Sequence, residues 1–303
     1  MKILLTGAAG KLGRAILQTA EGRHEVVGID SRPGVPGVHV GSCHDLSLLG
    51  PLLEGCSAVI HAAALHGGQR CDHSRTEFLE ANVVGLQRLL EESVRCGVRR
   101  FVFASSLEVL TGRDWKATTG TFDESSPPQP TWIYPATKVF GEILCDMMSR
   151  EESIETIALR YGRILHREEA TRHRREILLP QIIARGVDHL DAAEAALLAC
   201  ERPYCGFRIV NIAPENPFSQ EEIDRARHEP LALLEKEWPG SSARLEALGI
   251  TLRWDDLWPA ITTRAAAQVL GWRPRIKFPD YLRFAEDRPP VHHRPAAQYQ
   301  TVT

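Results

Sequence analysis

Apolar residues follow two rhythms along this chain. Short continuous runs at 2–6, 25–30, 58–63, 100–106, 156–161 and 207–213 have the length of strands buried on both faces. Between them the spacing lengthens to that of a helix. Val83, Val84, Leu86, Leu89, Leu90 and Val94 share one face, with Gln87, Arg88, Glu91 and Glu92 opposite. Val139, Phe140, Ile143, Leu144, Met147 and Met148 form a second such stripe. Strands alternating with helices predict a parallel sheet covered on both sides, a doubly wound α/β architecture. Beyond residue 162 the rhythm breaks up. Residues 163–175 are mostly polar and basic, and 214–217 read as a loop. Residues 221–257 read as helix interrupted at Pro230 and Pro239, and a helix at 262–270 is stopped by Gly271. The stretch after Asp287 reads as a loose tail.

Composition removes alternatives. Of 303 residues 43% are hydrophobic and 25% charged, and the net charge is −3. With 36 basic against 39 acidic residues there is no basic excess for nucleic acid. No apolar run approaches the ~20 residues of a membrane span. The run after Met1 is too short for a secretory signal. Cys43, Cys56, Cys71, Cys96, Cys145, Cys200 and Cys205 are scattered and never spaced Cys-x-x-Cys. They read as the reduced thiols of a cytoplasmic protein without a metal site.

Thr6-Gly7-Ala8-Ala9-Gly10-Lys11-Leu12-Gly13 follows the first strand and opens a helix. A chain that passes close to a pyrophosphate needs residues without side chains at the turn, and free N–H groups at the helix start. Asp30 ends the second strand, 17 residues beyond Gly13. An acid there accepts both hydroxyls of a ribose and repels a 2′-phosphate, which favours NAD. Arg14 and Arg32 stand near in sequence and leave NADP open. Asp45-Leu46 reads equally as an adenine contact or a helix N-cap.

Tyr134-Pro135-Ala136-Thr137-Lys138 opens the helix striped by Val139 to Met148. A spacing of four puts Tyr134 and Lys138 on one helical face. A phenol is a poor base at neutral pH, and a nearby ammonium stabilises its anion. Ser106 ends the fourth strand of the series, at the carboxyl edge where ligands bind in such sheets. Its hydroxyl could hold a substrate oxygen while Tyr134 moves the proton.

With these residues in view the chain resembles the extended short-chain dehydrogenase/reductase family, the NAD-dependent epimerase/dehydratase group. The resemblance rests on residues 6–13, Asp30, His61-Ala62-Ala63-Ala64, Asn82-Val83-Val84-Gly85, Ala104-Ser105-Ser106, Asp123-Glu124 and 134–138. It continues through 187–191 and 270–274, and so covers about residues 1–280. It implies a Rossmann-type doubly wound parallel sheet with a small C-terminal substrate-binding subdomain. Residues 1–162 would form the NAD(P)-binding domain, with 187–213 returning to it. Residues 163–186 and 214–285 would form the substrate part, and 286–303 a flexible tail. Gly7, Ala9, Gly10, Lys11, Leu12, Gly13, Asp30, Ser31, Arg32, Asp45 and Leu46 would bind the cofactor. The segment His61, Ala62, Ala63 and Ala64 would line it together with Asn82, Ala104, Tyr134 and Lys138. Ser106, Tyr134 and Lys138 would be catalytic, with Asn82 supporting their hydrogen-bond network. In the implied chemistry Tyr134 as phenolate takes the proton of a secondary alcohol while hydride passes to the nicotinamide. A dehydrogenase releases the ketone, an epimerase returns the hydride, and a dehydratase or decarboxylase exploits the acidified neighbouring carbon. Members often dimerise through the two striped helices, so a homodimer is expected.

Glu108 separates these outcomes. In the family's dehydratases and decarboxylases a Glu two residues after the Ser or Thr is a base or substrate contact, and it would join the catalytic set here. The intervening acid of many 4,6-dehydratases is Leu107 in this chain, which cannot protonate a leaving hydroxyl. Only about 26 residues separate Arg160 from Val187, as in compact members acting on free sugar acids, such as uronate dehydrogenases. Arg160, Arg163, Arg167, Arg172, Arg174 and Arg175 crowd that stretch. Guanidiniums there suit a carboxylate or phosphate, and Arg163, Arg174 and Arg175 are the foremost candidates, with His66, Ser106 and Glu108 as further substrate contacts. A solvated loop partly neutralised by Glu168 and Glu169 is the plainer alternative. The expected partner is thus an anionic sugar derivative, without nucleic acid or membrane. A non-catalytic cofactor-binding protein would need a damaged catalytic set, yet Ser106, Tyr134, Lys138 and Asn82 are all present.

Overall fold

A computed structural model describes residues 1–111, 121–167, 175–257 and 260–287. Its elements begin β1 (Lys2–Thr6), α1 (Lys11–Ala20), β2 (Glu25–Asp30), β3 (Val38–Val40), α2 (Leu46–Leu53) and β4 (Ala58–His61). Then come α3 (Arg75–Leu79), a π-helical turn (Glu80–Val84), α4 (Gly85–Arg95), β5 (Arg100–Ser106), α5 (Ile133–Glu151) and β6 (Glu155–Tyr161). β7 (Arg163–Leu165), α6 (Arg175–Ala184), β8 (Gly186–Asp188), α7 (His189–Glu201) and β9 (Phe207–Ile212) follow. The chain continues through α8 (Gln220–Arg225), α9 (Pro230–Glu237), α10 (Ser241–Ala247), α11 (Arg264–Leu270) and α12 (Phe278–Glu286).

Seven parallel strands form the sheet in the order β3-β2-β1-β4-β5-β6-β9. The order reverses between β1 and β4, and it is outside the carboxyl edge at such a point that open α/β sheets bind their ligands. Side chains alternate between faces, as the period of two requires. Ile3, Leu5, Val102, Ala104, Ile157 and Leu159 pack beneath α1, α7 and α11. Leu4, Val59, Phe101, Phe103 and Ala158 pack beneath α2, α4 and α5. The expected doubly wound α/β fold is therefore present.

A separate apolar cluster gathers Leu165, Leu178, Leu179 and Ile182 with Ile223, Leu234, Leu245, Tyr281 and Leu282. β7 and β8 form their own two-stranded parallel sheet beside it. These three-residue strands escape periodicity because they are too short to show one. β3 escapes for the same reason, and its exposed edge position gives it no apolar run. The six apolar runs otherwise coincide with strands, except that the fourth-sheet-position run expected at 58–63 ends at His61. Pro230 does not interrupt a helix but starts one, at the position where its missing N–H has no partner to lose. Gly271 ends α11 with φ +67, a conformation that suits glycine.

α5 leaves Phe140 47% and Ile143 57% exposed, and Val84 lies exposed at the end of the π-turn. Among the described residues no helix is long and apolar enough to cross a membrane. All seven cysteines are free thiols.

Candidate active site

Two glycines are fixed by their neighbours at the turn after β1. Gly7 has φ +71, and a β-carbon on it would stand 2.6 Å from Ala63 N. A β-carbon on Gly13 would stand 2.2 Å from Gly7 O, so α1 and the turn could not approach as they do. Gly10 differs. Only Gly7 O at 3.1 Å and an Arg32 nitrogen at 3.5 Å would lie within 4 Å of its β-carbon. α1 starts there without a side-chain cap and without an acidic residue in its first turn. An uncapped helix start behind a glycine turn is a cradle for a phosphate group. Asp30 closes the cradle, its Oδ2 accepting from Ala9 N at 2.9 Å. Its Oδ1 accepts from Arg32 N at 2.9 Å and from Arg32 Nε at 3.2 Å. Burial opposes its ionisation, but these hydrogen bonds prevail and hold the carboxyl below its ordinary range. The residues fit a dinucleotide. The Arg32 guanidinium also offsets the repulsion a bare Asp30 would exert on a 2′-phosphate.

The catalytic candidates meet across β5 and α5. Ser106 ends β5, and its hydroxyl lies near enough to the Tyr134 phenol to favour the phenolate. Its Oγ also accepts from Glu108 N at 3.2 Å, capping a short 3₁₀ turn. Tyr134 lies in the first turn of α5, where Pro135 needs no hydrogen-bonded N–H. Desolvation pushes the phenol well above its ordinary value, the Glu108 carboxylate pushes the same way, and Ser106 opposes both. Lys138 is 3% exposed, and burial lowers its ammonium to about 8. Its Nζ donates to Ala104 O at 2.7 Å and lies 5.6 Å from the Tyr134 ring centroid. Glu108 is open to the cleft, yet surrounding protein raises its carboxyl, against the pull of Trp132, Arg185 and Arg163. The exposed His66 caps a 3₁₀ turn, its Nδ1 accepting from Gly68 N at 3.1 Å. Desolvation, then the charges of Arg32, Lys138 and Lys11, lower its pKa.

Other expected site residues stand elsewhere. The His61 ring does not line the crevice. The strand alternation turns it inward beside Phe101 and Phe103, its Nδ1 2.7 Å from Thr6 Oγ1, and burial drives its pKa to about 3. Ala62, Ala63 and Ala64 remain partly exposed after it. Asn82 reaches Tyr134 through Thr137. The π-turn aims it inward, where Oδ1 accepts from Leu65 N at 2.8 Å and Nδ2 donates to Leu65 O and Thr137 Oγ1. Thr137 Oγ1 in turn donates to Tyr134 O at 2.7 Å. Asn82 is thus a positioning residue that ties the 62–66 loop to α5. Asp45 caps α2, accepting from Ser47 N and Ser47 Oγ, and Leu46 is exposed beside it. Ser31 is exposed next to the Asp30–Arg32 pair.

Arg160 is not a substrate arginine. It is 2% exposed and pairs with Glu142 of α5 through two bonds, Nε–Oε1 at 2.9 Å and Nη2–Oε2 at 2.8 Å. Ser105, its register partner on β5, donates to the same Glu142 at 2.7 Å. This buried knot joins α5 to β5 and β6. Arg167 likewise turns inward, onto Asp188 at 3.1 Å and over the Phe284 ring. Arg163 lies exposed on β7, within electrostatic reach of Glu108. Arg174, with Arg172, Glu168, Glu169 and the tail from 288, lies outside the described residues, as does the side chain of Arg175. Two site neighbours were missed in the sequence. Arg185 precedes β8, and its carbonyl accepts from Arg163 N at 2.8 Å. Trp132, whose Nε1 donates to Glu108 Oε2 at 3.3 Å, lies 5.5 Å from Tyr134 between ring centroids. Proximity to Tyr134 in sequence was the only signal for Trp132.

The model of the NAD dependent epimerase/dehydratase family matches residues 3–192. The uronate dehydrogenase of Pseudomonas putida is 32% identical over 168 residues, 53% of this chain and 60% of that one. This chain thus spans about three fifths of the length of the curated relatives it matches first. The NAD-dependent glucose-6-phosphate dehydrogenase of Haloferax volcanii is 26% identical over 246 residues, 74% of this chain and 89% of that one. A short-chain dehydrogenase/reductase superfamily protein from Agrobacterium tumefaciens, solved with bound NAD, superposes with a TM-score of 0.72 at 24% identity, over 95% and 96% of the two chains. With the family model matched over residues 3–192, more than half of this chain, the chain belongs to the NAD-dependent epimerase/dehydratase family.

Proposed function

We propose that the chain is an NAD-dependent oxidoreductase acting on a secondary alcohol of an anionic sugar, a sugar acid or a sugar phosphate. The observation that carries this is the meeting of the Tyr134 phenol with Ser106 and with the buried Lys138. Bound NAD supplies the acceptor for the hydride of the alcohol carbon. The α1 N-terminus holds the pyrophosphate, and Asp30, once Arg32 yields, holds the ribose. Ser106 positions the substrate oxygen, and Tyr134 Oη takes its proton. The Lys138 ammonium favours the phenolate that this step needs. Residues 163–186 and 214–285 supply the substrate side of the cleft.

An anionic substrate is supported by Arg163 and Arg185, adjacent through a backbone hydrogen bond and both acting electrostatically on Glu108. It accords with the names of the uronate and glucose-6-phosphate dehydrogenases among the relatives. Against a dehydratase stands Leu107, buried and without a proton to give. The test is NADH formation with free uronates, glucose 6-phosphate, neutral aldoses and nucleotide sugars. Turnover of the free anionic sugars is expected. Arg163→Ala should raise KM for them about 10-fold or more, the loss of one charge-assisted hydrogen bond, and leave KM for neutral aldoses unchanged. Turnover of neutral aldoses alone would overturn the anionic assignment. Nicotinamide that copurifies and never exchanges would point to an epimerase.

The partner of the exposed α5 face is a second copy of this chain. Phe140, Ile143 and Val84 present the apolar surface for it. Ile143→Glu should convert the protein from dimer to monomer by light scattering. A wild-type monomer would rule the dimer out.

A further inference from the structure

Charge alone does not choose among anionic sugars. Guanidiniums such as those of Arg163 and Arg185 attract the diphosphate of a nucleotide sugar as readily as a carboxylate or a single phosphate. A site that takes the free sugar and turns away the nucleotide-linked one needs a steric element beside the reacting group. Trp132 stands in that place. Its ring centroid lies 5.5 Å from that of Tyr134, at the start of the same helix.

The indole spans two turns at the carboxyl edge of the sheet. One is the 3₁₀ turn Gly67–Gln69 after β4, the other the 3₁₀ turn Leu107–Val109 after β5. At its pyrrole end Nε1 donates to Glu108 Oε2 at 3.3 Å. Its benzene end lies against Gly67, where a β-carbon would stand 3.4 Å from Trp132 Cη2 and 3.5 Å from Cζ2. Between these ends the ring is held as well. Phe78, itself fully buried, meets it edge-on at 6.2 Å, and the Arg70 guanidinium lies 5.9 Å from its centroid. Its carbonyl accepts from Ala136 N at 3.3 Å, which ties its backbone to the first turn of α5. A ring fixed at both ends and packed between them does not swing aside without losing several contacts at once. Arg163 and Arg185 act on the same Glu108, so the indole and the two cations are grouped around one carboxylate near Tyr134.

We infer that Trp132 is a specificity-determining residue, a fixed wall beside Tyr134 that admits a single sugar ring bearing its own anionic group and excludes sugars joined to a nucleoside diphosphate. The inference deepens the oxidoreductase function proposed above and rests on it. The reacting hydroxyl lies at Ser106 and Tyr134 and the anionic group at Arg163 and Arg185. The indole fills the gap between the 67–69 and 107–109 turns through which a bulky substituent on the ring would otherwise extend.

The test is inhibition by UDP-glucuronate and UDP-glucose, competitive with the free anionic sugar that the wild type oxidises, at saturating NAD. Inhibition constants report entry to the pocket whichever hydroxyl reacts. In the wild type both constants should exceed the KM of the free sugar by about 10-fold or more, the discrimination one pocket wall supplies. Trp132→Ala should lower them about 10-fold or more while the affinity for NAD, measured by calorimetry, stays close to wild type. Trp132→Phe keeps a ring beside Tyr134 but no longer reaches both Glu108 and Gly67, and should give intermediate constants. It also carries the test if Trp132→Ala fails to fold. Wild-type inhibition constants near the KM of the free sugar would overturn the wall and leave the oxidoreductase function standing. So would variants that bind NAD normally with inhibition constants unchanged. Absence of NADH formation by the wild type with every sugar would overturn both.

Discussion

Tyr134→Phe is expected to lower kcat about 10²–10⁴-fold, the usual contribution of one positioned proton-transfer group, while NAD affinity stays close to wild type. The phenol oxygen is the only atom removed. The Phe ring keeps its packing against Trp132, and Lys138 keeps its bond to Ala104 O. The proton of the substrate alcohol then loses its positioned acceptor, because Ser106 is an unactivated hydroxyl. Calorimetric titration with NAD beside steady-state kinetics separates the two effects. Unchanged turnover in this variant would remove Tyr134 from the chemistry. Lost NAD binding would show instead that the phenol is structural.

The second large effect is on stability. Arg160→Met is expected to destabilise the fold by about 3–5 kcal/mol, the range for removing one partner of a buried pair. Glu142 would be left buried with only the Ser105 hydroxyl to stabilise its charge. The pair joins β6 to α5, and α5 carries both Tyr134 and Lys138, so kcat should fall along with the urea midpoint. Replacing both, Arg160→Met with Glu142→Met, should recover most of the stability, since two alkyl chains leave no orphaned charge. Urea denaturation of the two single variants and the double variant completes the cycle. A single Arg160→Met whose midpoint matches wild type would mean that the pair contributes nothing.

The same arginine marks a limit of sequence. Within 160–175 the arginines form one basic run, and composition treats them alike. Only the sheet distinguishes them. Arg160 falls on the inward face of β6 opposite Ser105, whereas Arg163, on the short strand β7, is exposed. His61 and Asn82 follow the same rule. Both belong to motifs expected at the cofactor, and the strand alternation and the π-turn bury their side chains.

What the sequence determined by itself is the local and the periodic. The strand runs, the glycine turn, Asp30 and the four-residue spacing of Tyr134 and Lys138 each arise within one element or one turn, where backbone geometry alone sets the outcome. That is why the doubly wound fold and most of the crevice were legible. Tertiary structure decided what depends on contacts far apart along the chain. It brought Trp132 to Glu108, Arg185 beside Arg163, and Ser105, Glu142 and Arg160 into one knot. Such contacts leave no periodic trace, because each partner's neighbours in sequence carry no information about a group dozens of residues away.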